Sequence, residues 1–135
     1  MSQKNAEALV PTSNMALISI CNPGVQRNLK DGWGARLDVV FNDITYSPPK
    51  EYDGQYVLFD ADIAKEIVSF INTLPPIIDH IVIHCLAGLS RSPAIAKVLC
   101  EKYGEKFPED HPYIINALVY ELFKEEMNNG KDNSV

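Results

Sequence analysis

The stretch Ile81-Val-Ile-His-Cys-Leu-Ala-Gly-Leu-Ser-Arg-Ser-Pro93 joins an apolar run to a loop that carries a thiol, a glycine and an arginine. The run reads as a strand ending at Cys85, and Arg91 reads as the start of a helix. Gly88 lets the short loop of Leu86, Ala87, Gly88, Leu89 and Ser90 adopt backbone angles closed to other residues. In such a curl successive N–H groups point inward and form an anion-binding nest. The helix that follows adds the positive end of its dipole at the same spot. Residues 86–90 are therefore candidates to bind phosphate through their backbone. Arg91 can offer its planar fork to two phosphate oxygens at once, which lysine cannot. Cys85 lies at the centre of this field. A free thiol has a pKa of about 8.5 and is only about 3% ionised at pH 7. A helix N-terminus and an adjacent cation lower that value by about two units or more, which makes thiolate the main form. A thiolate facing a bound phosphate is an in-line nucleophile whose product is a cysteinyl-phosphate. Ser92, next to Arg91, is placed to hydrogen-bond the sulfur and make it a better leaving group in a second step.

The elements that must position these groups follow from periodicity and breakers. Residues 1–14 carry little pattern, and Glu7 to Val10 fits a strand or a helix fragment equally. Ala16 to Ile20 is a short apolar run stopped by Asn22-Pro-Gly24, a strand and a turn. Arg36 to Phe41 is a second strand, and residues 42–56, with Pro48, Pro49 and Gly54, form an excursion of a length usually reserved for function. Asp60 is an N-cap, after which Ile63, Ile67, Phe70, Ile71 and Leu74 mark one face of a helix that Pro75-Pro76 stops. The run Ile77 to His84 predicts a buried central strand from about His80. Pro93 suits the first turn of the next helix, with Ile95, Val98 and Leu99 on its face and Gly104 at its end. A last helix is expected to carry Ile114, Ile115, Leu118, Val119, Leu122 and Phe123, and the tail 128–135 to fray. Strands alternating with helices imply a single α/β domain over 1–135: a mostly parallel twisted sheet flanked by helices, with the phosphate-binding loop between a central strand and a helix.

The sequence resembles the cysteine-dependent protein tyrosine phosphatases, whose signature is His-Cys-x5-Arg-Ser/Thr, here His84, Cys85, Arg91 and Ser92. The small dual-specificity-like branch is closest, since Gly88 to Ser92 matches its Gly-x-Ser-Arg-Ser. The resemblance spans roughly residues 36–104, fits the last helix less specifically and leaves residues 1–15 uncovered. It implies a tyrosine or dual-specificity phosphatase and a general acid, an Asp on a separate loop that protonates the leaving oxygen and later serves as base toward water. Asp43 follows directly on the second strand, in the Asn-Asp pair where this branch often has its acid. Asp53, in the Tyr-Asp-Gly turn signal, is the alternative, and Asp60 is accounted for as a cap. The resemblance also implies that His84 supports the loop by bonding the backbone around Cys85.

The chain has 135 residues and a formal charge of −6, from 12 basic and 18 acidic residues. An acidic surface without a basic run disfavours nucleic acid and anionic membranes as partners. No apolar stretch reaches the roughly 18 residues of a membrane helix, and no signal peptide is visible, so the expected compartment is the cytoplasm and the default state a monomer. Cys21, Cys85 and Cys100 make neither an even disulfide set nor a Cys-x-x-Cys metal pair, and no metal or cofactor is expected. Cys100, about 13 Å along its helix from Arg91, is too far from Cys85 for a disulfide, whereas Cys21 stays open as a redox partner. Trp33 is a loop anchor or a pocket rim, and His80 and His111 are surface or packing residues. Competing functions are a phosphatase for phosphoinositides or RNA 5′-phosphates, sulfur transfer or arsenate reduction, and a non-catalytic phosphate-binding module. The uncharged loop favours a phosphotyrosine-containing protein over a lipid. Both Cys85 and Arg91 are present, which argues against a dead module.

Overall fold

Aliphatic residues concentrate in three short runs, and each forms a strand. The computed structural model describes residues 1–46, 50–52 and 54–132. Strands β1 (Met15–Cys21), β2 (Ala35–Val40) and β3 (His80–His84) make an open, wholly parallel sheet in the order β2-β1-β3. Ala16 pairs with Ala35 on one side and with Ile81 on the other. β1 is buried over almost its whole length, as a parallel strand covered on both faces must be, and so it reads as a continuous apolar run. The central strand is therefore β1. The expectation that Ile77 to His84 supplies it is corrected: β3 is an edge strand. Its apolar residues are instead met by α3 and residues 107–113, since Ile81, Val82 and Ile83 share a groove with Pro93, Phe107 and Tyr113. At the far end of this edge Ser2 bridges to Cys85 in parallel register.

Four α-helices accompany the sheet: α1 (Gln3–Ala8), α2 (Ala61–Asn72), α3 (Arg91–Tyr103) and α4 (Ala117–Asp132). The patternless N-terminal segment contains α1, capped by Ser2 through its side chain to Asn5 N–H. In α2, Asp60 Oδ1 accepts the Ile63 N–H at 2.9 Å, a side-chain N-cap. α3 ends where Gly104 takes a left-handed conformation, φ 69°. α4 begins at Ala117 rather than near Ile114, because Asn116 caps it by accepting the Val119 N–H through Oδ1, and Ile114 is 80% exposed. It also runs to Asp132, past the predicted start of fraying at Asn128.

α2 packs on α4, and α3 packs on α4. Together they cover one face of the sheet. Ile18, Ile20, Val39 and Ile83 meet Ile67, Ile95, Val119 and Phe123 in one buried cluster. Each such side chain contributes roughly 2 kcal/mol of burial. Phe41 and Phe59 meet edge to face at 4.9 Å and close the cluster where the 42–56 excursion leaves and rejoins it. No described helix is long and apolar enough to cross a membrane.

Because Asp60 spends its carboxylate on a helix end, Asp60→Ala is expected to cost about 1 kcal/mol of stability. A lower urea midpoint with an unchanged m-value would show it, and a stability equal to that of the parent would refute the cap.

Candidate active site

A parallel sheet brings the carboxyl ends of all its strands to one edge, and crevices form there. At that edge a cavity of about 400 Å³ is lined by Asn22 after β1, Asp43 beyond β2, Cys85 after β3, Leu86, Ala87, Leu89, Ser90 and Arg91 of the turn into α3, and Ile114. Cys85 and Arg91 thus line one cavity with Asp43, which lies far from both in the sequence.

Cys85 is 2% exposed. Its sulfur receives the Gly88 N–H at 3.3 Å and lies 3.2 Å from the Ser92 hydroxyl. Burial pushes the thiol pKa up, but the Ser92 hydroxyl, the Ser92 and Gly88 amides and the Arg91 charge outweigh it, and the net shift is downward. Ser90, the residue at the N-cap of α3, does not cap it with its side chain. The Ser90 hydroxyl turns to Asp43 instead, which leaves the first-turn amides of α3 to the sulfur side. Gly88 makes the tight loop possible with φ +75°. A Cβ there would come within 2.5 Å of the Met1 carbonyl carbon and the Ser2 nitrogen, so a side chain is excluded on two counts.

Arg91 is 3% exposed. Its Nη1 donates to Asn22 Oδ1 at 2.6 Å and to the Phe41 carbonyl at 2.7 Å. Its Nε is buried with no hydrogen-bond partner. The guanidinium is therefore fixed by one nitrogen, with a donor on another edge unspent.

Asp43 Oδ1 accepts two bonds, from the Ser90 hydroxyl at 2.8 Å and from Asn116 Nδ2 at 2.7 Å. Both fall on the same oxygen, Oδ1, and neither involves Oδ2. Asn116 is 2% exposed and also donates to the Ile44 carbonyl at 3.2 Å. It holds the Asp43 segment with its amide nitrogen and caps α4 with its amide oxygen. Sequence reading missed Asn116 and Asn22. Their sole local signal is the turn and cap preference of asparagine, which does not reveal a partner far along the chain.

His84 is fully buried, and burial holds its imidazole below the ordinary value. As the neutral ring it donates from Nδ1 to the Cys85 carbonyl at 3.2 Å and accepts the Ser19 hydroxyl at Nε2, 2.6 Å away. It ties β1 to the start of the loop. The N-terminal segment braces the loop from behind. Cys85 N–H donates to the Met1 carbonyl, and Gln3 N–H to the Leu86 carbonyl. The Gln3 side chain also accepts from Cys21 Sγ and donates to the Gln26 carbonyl. Strand alternation puts Cys21 on the face of Ser19, its neighbour at two residues, whereas Cys85 belongs to the core cluster on the other face. This alternation separates the two thiols and removes Cys21 as a simple disulfide partner. Cys100 is half-buried in α3, with its pKa raised by burial. Trp33 is not among the residues lining the cavity. His80 pairs with Asp79 at the surface, and His111 stacks on Tyr113. Asp53 lies outside the described residues. Among the described residues no cluster of His, Cys, Asp and Glu is arranged to hold a metal ion.

Comparison of the chain with protein families, with curated proteins and with solved structures finds no match.

A lowered thiol pKa keeps Cys85 ionised, and so reactive, at pH values where an ordinary thiol is protonated. The rate of alkylation of Cys85 against pH is expected to rise with a midpoint below that of an ordinary exposed thiol measured alongside. Ser92→Ala removes one donor and should move that midpoint up. A midpoint at the ordinary value in the parent protein would mean that the donors do not outweigh burial.

Proposed function

We propose that this chain is a cysteine-dependent protein tyrosine phosphatase of the small dual-specificity-like type. It hydrolyses phosphate monoesters through a cysteinyl-phosphate and acts in the cytoplasm, where its free thiols stay reduced. One observation carries the reading. A thiol with a lowered pKa and a buried arginine with an unspent Nε donor line the same cavity. A phosphoryl group between them would take the free edge of the Arg91 fork on its oxygens and present its phosphorus to the sulfur.

In this mechanism the loop of residues 86–90 and the first turn of α3 supply N–H donors to the phosphoryl oxygens. Arg91 neutralises the charge that builds on them. The Cys85 thiolate attacks in line, the S–P bond forms and the P–O bond to the substrate breaks. Asp43 gives the proton on Oδ2 to the departing oxygen. In the second half Asp43, now a carboxylate, takes a proton from water, and the water oxygen attacks phosphorus. The S–P bond breaks and Cys85 leaves as a thiolate, which the Ser92 hydroxyl stabilises by hydrogen bonding. Charge stabilisation comes from Arg91 and backbone amides, so the mechanism calls for no metal or cofactor. The uncharged loop and the formal charge of −6 favour a phosphoprotein over a phosphoinositide or an RNA end.

The test is turnover of phosphotyrosine, phosphothreonine, phosphoinositide and RNA 5′-phosphate substrates with EDTA present. Phosphotyrosine turnover in EDTA is expected, with competitive inhibition by vanadate. Activity that disappears in EDTA and returns with a divalent ion would overturn the mechanism. Cys85→Ser should abolish turnover, and Arg91→Lys should lower it by about 10²–10³. Asp43→Asn discriminates further. A tyrosine leaving group, pKa about 10, needs a proton far more than a nitrophenolate does. Asp43→Asn should therefore slow phosphotyrosine hydrolysis much more than hydrolysis of 4-nitrophenyl phosphate. If Asp53→Asn shows this dependence and Asp43→Asn does not, the acid is Asp53.

A further inference from the structure

The mouth of the cavity is apolar. Leu86 is 61% exposed, Leu89 39% and Ile114 80%, and all three line it. They are held in place rather than dangling, because Ile114 N–H donates to the Leu89 carbonyl at 2.9 Å and Asn116 N–H to the Ser90 carbonyl at 3.2 Å. Residues 114–116 thus run beside the loop and set Ile114 at its rim. Large aliphatic side chains exposed together around a concave site mark a contact surface. The charges in the lining are equally telling. Among the described lining residues the one cation, Arg91, is 3% exposed at the floor and the one anion, Asp43, is exposed. Among the described residues no lysine or second arginine lines the cavity to meet an acidic neighbour of the phosphate, and the chain as a whole is at −6.

We propose that this rim selects phosphotyrosines flanked by apolar residues and discriminates against those flanked by Asp or Glu, with Ile114 as a specificity residue. This inference rests on the phosphatase reading of the site. The occupant is a segment of a partner protein whose phosphate enters the cavity while its aliphatic neighbours cover Leu86, Leu89 and Ile114. Covering them removes apolar surface from water. An acidic neighbour gains no partner there and faces Asp43 and a negative field, a like-charge penalty that falls on encounter and on binding alike.

The test compares two phosphotyrosine peptides that differ in their flanks alone, leucine on both sides or glutamate on both sides. 4-Nitrophenyl phosphate and Cys85→Ser serve as references. The expected result is kcat/KM higher by about tenfold for the leucine peptide. The gap should narrow as salt screens the repulsion of the glutamate peptide. Ile114→Lys should shrink or invert the ratio of the two peptides. That ratio is an internal control, since a misfolded variant loses both activities together. Equal kcat/KM values in the parent, preference for the glutamate peptide, or a ratio unmoved by Ile114→Lys would overturn the inference while the phosphatase reading stands. Absence of turnover on all phosphate esters, or turnover that survives Cys85→Ser, would overturn that reading and the inference with it.

Discussion

A buried guanidinium organises this molecule. An arginine side chain carries a positive charge, and a buried charge without compensation is costly. Among the described residues no carboxylate forms an ion pair with it. Its compensation is two neutral oxygens, from Asn22 and Phe41, which come from chain segments 69 and 50 residues away. The Phe41 ring, 6.0 Å from the guanidinium carbon, adds a weak cation–π contact. To keep these acceptors the ends of β1 and β2 must meet the start of α3, and a parallel sheet with β1 in the middle is what brings them there. Two neutral acceptors on Nη1 leave the cation undercompensated, and Nε has no partner. An anion at that edge would offset the cost of burying Arg91, which is the electrostatic argument behind the phosphate site proposed above.

The thiol of Cys85 obeys the same electrostatics with opposite sign. Burial alone would make it a weaker acid, the direction in which partial burial and the charges of Glu105 and Glu101 move Cys100. What reverses the shift is a set of donors available only because the loop is tight and the helix end is not capped by a side chain. Both conditions depend on small residues. Gly88 permits the curl and the close approach of Met1, and Ser90 frees the helix end by bonding Asp43. Neutral His84 completes the arrangement without adding charge. A protonated ring there would repel Arg27, and burial already opposes it.

Much of this was legible in the sequence where the signal is local. The Cys85 to Arg91 spacing, Gly88, the Asp60 cap and the Gly104 stop each declare themselves within a few residues, and each stands where expected. The signals failed where partners are distant. Asn116 looks like one more position in the approach to an amphipathic helix, yet its amide bonds Asp43 across 73 residues. Ile114 fits the helical stripe of Ile115 and Leu118 by periodicity, but the cap at Asn116 starts the helix later and leaves Ile114 at the cavity mouth. The apolar run before Cys85 suggested a central strand, because periodicity measures burial and not what does the burying. α3 and residues 107–113 cover it instead of a further strand. Nothing in Met1 to Gln3 announces that their backbone supports the loop.

These distant bonds have a mechanical consequence. Asp43 is attached to the site by Ser90 from the loop and by Asn116 from the first turn of α4, and the two attachments are themselves joined by the Asn116 N–H to the Ser90 carbonyl. Ser90, Asp43 and Asn116 therefore form one closed ring of hydrogen bonds beside the cavity. Opening any one member loosens the other two, although none of the core side chains beneath need move. Asn116 caps α4 with the same amide group that holds Asp43, so fraying of that helix end and release of Asp43 are a single event. The placement of Asp43 is then set by the local stability of the residues around 116, which can fail well before the hydrophobic core gives way.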